Sequence, residues 1–361
     1  PASGSGHMLT YAFDLLYAIY EEEGYNPSEI PEKILTRNLF GIEIDERASE
    51  LSAFALTMKA RAKQKNFFQK QIQPNICILK NIHFEEDELA EYTKFIGRDL
   101  FTDAFIDTLS QFEETDNFGS LIQPKLKQTQ EIIEALKSKD LSGELFLSGT
   151  HDKVLRVLKQ ADYLSPKYHV VVANPPYMGS KGMNPRMREW LKDNYPDVKS
   201  DLFSVFIDRN LKMTLPKGQL GFMTPFVWMF ISSYEKLRIF LLEQKTITSL
   251  IQLEYSGFDG ATVPICTFTI QNSHNPTFKG GYIKLSDFRG ASAQAPKTRE
   301  AIKNTNCGWF YRVSSDDFQK IPSNPIAYWA SGNVIQCFET GHKLSETSPV
   351  KAGLKIGRAH V

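Results

Sequence analysis

The stretch His169-Val170-Val171-Val172-Ala173-Asn174-Pro175-Pro176-Tyr177 holds the residues best suited to chemistry. Asn174 offers a side-chain carbonyl acceptor, Pro175 a backbone carbonyl with no N–H of its own, and Tyr177 a flat π-face. Such a set suits a planar group bearing an –NH2: two oxygens take its two hydrogens while the ring stacks on its face. Each proline fixes its own φ at about −65° and pushes the residue before it toward extended backbone, so the bend is stiff. From average residue usage, Asn-Pro-Pro followed by an aromatic arises by chance in under about one chain in a hundred of this length.

A site that receives an amine needs a second site that holds the group to be transferred. Pro1-Ala2-Ser3-Gly4-Ser5-Gly6 is a glycine-rich turn ahead of a helix expected over residues 10–22. Bare backbone and orphan N–H groups there let a ligand approach closely, although Gly-Ser-Gly also suits a linker. Residues 39–45 read as a strand ending in acid, followed by a helix over 46–65. An acid at the end of the second strand of a doubly wound sheet is placed to accept hydrogen bonds from a ribose. Glu43 and Asp45 point the same way on a strand, so either suits that role. Residues 75–81 form a third strand, and Asn81 at its end stands where it could read an adenine edge. Neither G-x-G-x-x-G nor G-x-x-x-x-G-K-[ST] occurs. Paired catalytic carboxylates, a Ser/His/Asp set and metal-ligand spacing are all missing near these residues, so positioning and electrostatics must carry the reaction.

The elements that position these residues alternate. Helices are expected over 154–164, 184–195, 201–213 and 232–243, and strands over 169–173, 219–224, 246–253 and 263–271. The apolar run before Asn174 reads as a strand buried on both faces. Strands alternating with helices indicate an α/β fold with a mostly parallel, doubly wound sheet. The last two strands, joined by a short turn-rich link, are expected to be antiparallel. Residues 85–139 carry helical spacing without a strand and read as a helical insertion, and the polar segment 21–38 reads as a second insertion. Lys181, Arg186, Arg188 and Lys192 cluster after Tyr177, as phosphate contacts or as a solvated face. Residues 291–296 read as a linker and 317–329 as a compact aromatic segment.

Composition narrows the setting. Lysine plus arginine and aspartate plus glutamate stand at 42 each, so net charge argues neither for nor against nucleic acid. Cys77, Cys266, Cys307 and Cys337 lie far apart with no C-x-x-C pair, which speaks against a disulfide framework or zinc site and for a reducing cytoplasm. No apolar run reaches membrane-spanning length. Both ends are expected to be cut. The chain opens at Pro1 inside the glycine turn, and residues 356–361 (Ile-Gly-Arg-Ala-His-Val) match the translation of a sequencing adapter.

These motifs resemble those of the S-adenosylmethionine-dependent DNA adenine-N6 methyltransferases. Pro1 to Gly6 resembles their motif I without its leading acid, Gly41-Ile42-Glu43-Ile44-Asp45 their motif II, and Asn174-Pro175-Pro176-Tyr177 their catalytic motif IV. The order I, II, IV is that of the gamma group, and the insertion together with residues 318–329 is similar to the PglX-type methyltransferases of BREX phage-defence systems. The resemblance implies a Rossmann-like class I fold, with a catalytic core over 1–290 whose first strand is truncated. It also implies an insertion at about 85–150 and a linker leading into target recognition over 291–355. S-adenosylmethionine would lie against Pro1, Ala2, Ser3, Gly4 and Gly6, with Glu43 or Asp45 on its ribose and Asn81 near its adenine. The substrate would be an adenine flipped out of double-stranded DNA, held by Asn174, Pro175, Pro176 and Tyr177, with Phe258 as a second aromatic clamp and Lys181 nearby. Other defence-system proteins would be its partners, with no metal and no membrane. The same Asn-Pro-Pro-Tyr serves enzymes that methylate RNA guanine or protein glutamine, and a non-catalytic S-adenosylmethionine-binding subunit is a further alternative.

Overall fold

Short apolar runs become strands here, and most end where a polar or proline residue stops the ladder. A computed structural model describes residues 1–97, 102–139, 145–255 and 263–342; the expected clamp Phe258 and residues 343–361 lie outside these. Strands β1 (Phe40–Glu43) and β2 (Asn75–Ile78) pair in parallel as a sheet of two. Six further strands form the main sheet: β3 (Tyr168–Ala173), β4 (Thr214–Pro225), β5 (Thr246–Gln252), β6 (Ile265–Gln271), β7 (Lys279–Lys284) and β8 (Phe310–Ser314). Their order is β3-β4-β6-β5-β7-β8. Strands β3, β4, β5 and β7 run one way, while β6 and β8 run against them. The architecture is mixed α/β with a sheet of mostly parallel strands, and β5 and β6 are antiparallel, as expected.

The helices used below are α1 (His7–Glu22), α2 (Glu46–Lys63), α3 (Glu86–Ile96), α4 (Leu145–Tyr163), α5 (Leu202–Met213), α6 (Glu235–Gln244) and α7 (Ala291–Lys303). Helix α2 starts where Asp45 Oδ1 accepts the Ala48 N–H at 2.8 Å, satisfying one of its orphan donors. Helix α5 starts the same way at Asp201 and buries most of its side chains in the main core beside β3 and β4. Between β2 and β3, helices 103–111 and 129–137 join α3 and α4, and the described residues there hold no strand. The buried Arg209 of α5 fastens this helical layer to the sheet. Its guanidinium donates to the Ile122 carbonyl and to the Leu164 carbonyl, four residues before β3.

Several expectations are corrected. Strand β3 is not buried on both faces: Val171 and Ala173 face the core, but Val170 is 60% and Val172 45% exposed. The reason is that one face of this strand is left uncovered, and among the described residues it is an edge strand paired only with β4. The polar segment 21–38 is exposed over 21–29 but not throughout. Ile30, Ile34 and Leu35 are fully buried with Phe13, Tyr17 and Leu56 in a second core under α1 and α2. Their apolar residues are few but fall on one side of a short helical turn, which an average over the segment hides. Strand β4 begins at Thr214 and carries a register shift between the Tyr168 and Val170 partners, with Lys217 at φ +64°; Pro216 therefore sits in a bulged strand. Residues 291–296 open helix α7 instead of a linker. The aromatic segment folds back onto the sheet, with Tyr328 stacked on Tyr282 at 5.1 Å and Phe318 edge-on to the same ring.

Candidate active site

Strand β3 delivers Asn174 to an exposed position just past its carboxyl end, with Pro175 buried behind it and Tyr177 half-buried. The Tyr177 hydroxyl donates to Asn174 Oδ1 at 2.7 Å and lies 3.2 Å from the Met223 carbonyl of the neighbouring strand β4. Two properties follow. The carboxamide is held in place: its Oδ1 faces the tyrosine, whose single hydroxyl proton is shared between Oδ1 at 2.7 Å and the Met223 carbonyl at 3.2 Å. One Oδ1 lone pair is taken by tyrosine, leaving the other for an incoming donor. Burial pushes the Tyr177 hydroxyl up to about 12, so it remains a protonated donor.

The glycine turn is built tightly. Ser3 N–H donates to the Ile42 carbonyl of β1 at 3.1 Å, Gly6 N–H donates back to the Ser3 carbonyl at 3.1 Å, and Ala2 packs against the main core. Gly6 sits at φ +85°, and a Cβ there would come within 2.4 Å of Ser52 Oγ on α2. Only glycine fits both that backbone and that approach. Pro1 and Gly4 are partly buried in the same turn.

The structure separates the two candidate acids. Glu43 Oε2 accepts the Gly4 N–H at 2.7 Å, and its Oε1 accepts from Ile44 and Asp45 at 2.9 and 3.2 Å. Asp45 is spent on capping α2. Glu43 thus joins the glycine turn to the end of β1, and Asp45 does not reach it. An open groove of about 500 Å³ lies beside them, lined by Ile44, Asp45, Glu46, Arg47 and Glu50. Asn81 turns toward the helical layer: its Oδ1 accepts from Thr115 Oγ1 and from the Asp116 N–H, both at 2.9 Å. Lys181 is exposed in the turn after Tyr177, while Arg186 is tied to Glu114 through three contacts of 2.7 to 3.1 Å. That pair fastens helix 185–194 to the helical layer.

The two strands that carry these residues meet at their starts. Phe40, at the start of β1, packs edge-on against Tyr168, at the start of β3, at 5.7 Å. Ile42, Val171 and Ala173 share one core, with Ala2 packed against it. One residue that sequence reading left as an ordinary helix opener proves to belong here. Asp201 Oδ1 accepts the Met178 N–H at 3.0 Å as well as the Phe203 N–H at 3.2 Å. Burial raises its carboxyl above the usual carboxylate value, opposed by these backbone donors. An aspartate before an amphipathic helix is legible as a cap, but its second partner lies 23 residues away and has no local signal. Among the described residues, no group of three or more His, Cys, Asp or Glu could hold a metal ion, and no helix is long and apolar enough to cross a membrane.

Comparison with known proteins adds an independent line. Residues 37–258 match the profile of the Eco57I restriction-modification methylase family. The chain is 34% identical over 364 residues to the adenine-specific methyltransferase BrxX of Escherichia coli O9:H4 (strain HS), covering 94% of this chain and 30% of that protein. It is 32% identical over 370 residues to the adenine-specific methyltransferase PglX of Lacticaseibacillus casei (strain Zhang), covering 99% of this chain and 30% of that one. The chain therefore spans about a third of the length of these relatives. Among solved structures, a nuclease-deletion mutant of the Type ISP restriction-modification enzyme LlaGI, in complex with a DNA substrate mimic, superposes with a TM-score of 0.54 at 14% identity. That match covers 93% of this chain and 25% of the LlaGI chain, and it speaks for the fold alone.

Proposed function

The chain belongs to the Eco57I restriction-modification methylase family, and from that premise we propose what the full-length protein does. It transfers a methyl group from S-adenosylmethionine to N6 of an adenine flipped out of double-stranded DNA, within a phage-defence or restriction-modification system. The observation that carries this reading is Asn174 at the end of β3, its side-chain oxygen held by the Tyr177 hydroxyl at 2.7 Å. We read the fold as a Rossmann-like class I methyltransferase core, expected over residues 1–290 with its insertion at about 85–150, whose sheet also takes in β8 and the packed segment 317–329 before the approach to target recognition. The names of the BrxX and PglX relatives support the adenine assignment and the defence setting.

The residues divide the work as follows. Extruding the base from the stack costs a few kcal/mol, and Tyr177 offsets part of that by stacking on the exposed ring. Asn174 Oδ1 and the Pro175 carbonyl each accept one N6–H. Those two bonds fix the amine in place and draw its lone pair out of conjugation with the ring, toward the donor. The rigid Asn-Pro-Pro backbone holds both acceptors before the base arrives, so little reorganisation is needed at the moment of reaction. Bound S-adenosylmethionine supplies an electrophilic methyl group on a sulfonium centre.

Pro1 to Gly6 would enclose the methionine part of that molecule, and Glu43 its ribose. The turn offers such a guest one unmet polar atom: among the described residues Ser3 Oγ is buried without a hydrogen-bond partner. Lys181, exposed after Tyr177, would meet a phosphate beside the flipped nucleotide, and Phe258, outside the described residues, would clamp its far face. Mapping modified bases in DNA from cells expressing the full-length gene tests the reading. We expect N6-methyladenine at one recurring sequence and none with Asn174→Ala. Unmodified DNA beside methylated RNA guanine or protein glutamine would redirect the assignment to those substrates.

A further inference from the structure

The segment after Tyr177 is fastened to residues 200–202 at the start of α5, and one side chain takes part, the Asp201 carboxylate. Met178 N–H donates to Asp201 Oδ1 at 3.0 Å, and the Met178 carbonyl accepts the Leu202 N–H at 3.0 Å. Gly179 forms an antiparallel bridge with Asp201, and the Ser180 N–H donates to the Ser200 carbonyl at 3.1 Å. The carboxylate that holds this segment also caps α5 by accepting from Phe203, and α5 is embedded in the main core. Met178 to Gly182 is otherwise a glycine-containing loop with exposed residues, and left to itself it would sample many backbone states.

Tyr177 therefore has two anchors. One is its hydroxyl, on Asn174 and Met223. The other is its own chain, through the next residue's bond to Asp201. The first anchor must be shared when an amine donates to Asn174 Oδ1. The second is untouched by substrate, so together with the ring's packing against the core and the Leu202 bond to the Met178 carbonyl it can hold the ring in its stacking orientation while the first is renegotiated. We propose that Asp201 is a positioning residue for this site: its carboxylate tethers Met178 to α5 and so fixes the Tyr177 ring against which the flipped base stacks. The inference rests on reading Asn174 to Tyr177 as the amine site, and the experiment keeps the two apart.

Asp201→Ser separates tether from cap. A serine hydroxyl is a good helix cap but is too short to reach Met178 as well, whereas Asp201→Asn keeps a carboxamide oxygen for both partners. In the full-length protein each variant, with Asn174→Ala as control, is measured for S-adenosylmethionine affinity by calorimetry and for single-turnover transfer. A third readout is the fluorescence of a 2-aminopurine at the target position. Asp201→Ser is expected to bind S-adenosylmethionine as the wild type does and lose the stacked-base fluorescence signature. Its transfer falls about 10- to 100-fold, the usual cost of a misplaced reacting group. Asp201→Asn is expected to restore both readouts to within a few-fold. Wild-type behaviour of Asp201→Ser beside an inactive Asn174→Ala overturns the tether alone, and an active Asn174→Ala overturns the amine site beneath it. Should Asp201→Ser fold poorly, amide exchange in the wild type decides. The Met178 and Ser180 amides must be protected, and exchange at free-loop rates overturns the inference.

Discussion

Replacing Asn174 by alanine separates a chemical role from a structural one. Asn174 is exposed, and its described hydrogen bond is the one it accepts from the Tyr177 hydroxyl at 2.7 Å. Losing that bond costs the fold on the order of 1 kcal/mol, a fall in melting midpoint of about 2–4 °C or less. In the reaction the same substitution removes one of the two acceptors aimed at N6–H. Removing one preorganised hydrogen-bonding group from a transition state costs about 3–4 kcal/mol, or a factor of about 10² to 10³ in rate. The catalytic loss thus exceeds the structural one about threefold in free energy. The glycine turn and Glu43 make their own contacts without Asn174, so S-adenosylmethionine affinity is expected to stay within a few-fold. The assay is single-turnover transfer of labelled methyl to a duplex bearing the target, with cofactor affinity by calorimetry and a melting curve on the same preparation. Equal loss of transfer and cofactor binding would make Asn174 a structural residue and refute the argument. Transfer within tenfold of wild type would refute it as firmly.

Other outcomes follow from the same geometry. Tyr177→Phe keeps the ring and loses the hydroxyl that orients the Asn174 amide; single-turnover transfer should fall about threefold to tenfold, the equivalent of ~0.7–1.4 kcal/mol. Gly6→Ala places a methyl group 2.4 Å from Ser52 Oγ on a backbone at φ +85°, a strain of about 1–3 kcal/mol that calorimetry should register as weakened cofactor binding of tenfold or more. His151 of α4, 6% exposed, lies 2.7 Å through Nδ1 from the Tyr92 hydroxyl of α3, and burial lowers its pKa below 6.5. A histidine whose folded pKa is depressed contributes stability that is present above its unfolded value and lost as pH falls toward the folded one. Amide protection in α3 and α4 should therefore decline as pH falls below the ordinary histidine value, and a flat profile would remove His151 as the cause.

Much of the candidate site was legible because its motifs are local. Asn-Pro-Pro-Tyr states its own chemistry in four consecutive residues: two acceptors, a ring, and prolines that stiffen the bend between them. The end of β1 was legible for the same reason, since a strand closing on acid needs only a few residues to declare itself. Even there the sequence left Glu43 and Asp45 equivalent, because alternation on a strand gives both the same direction. The three-dimensional arrangement parted them by offering Gly4 to one and the first turn of α2 to the other.

What lay beyond the sequence is whatever depends on residues distant in the chain. The Val170 to Val172 run has the composition of a buried strand, and its exposure follows from one face of β3 being left uncovered. Composition reports how apolar a strand is, and neighbours decide how much of it is covered. Asn81 took a partner in the helical layer, and Asp201 one from the segment after Tyr177. The residues themselves determined which atoms can accept a hydrogen from an amine and where the chain must bend to present them. Tertiary structure alone decided which carboxylate meets the glycine turn, which carbonyl shares the tyrosine proton and which helix steadies the loop. A hydrogen bond is set by distance in space, and the linear order of the chain does not encode that distance beyond a few residues.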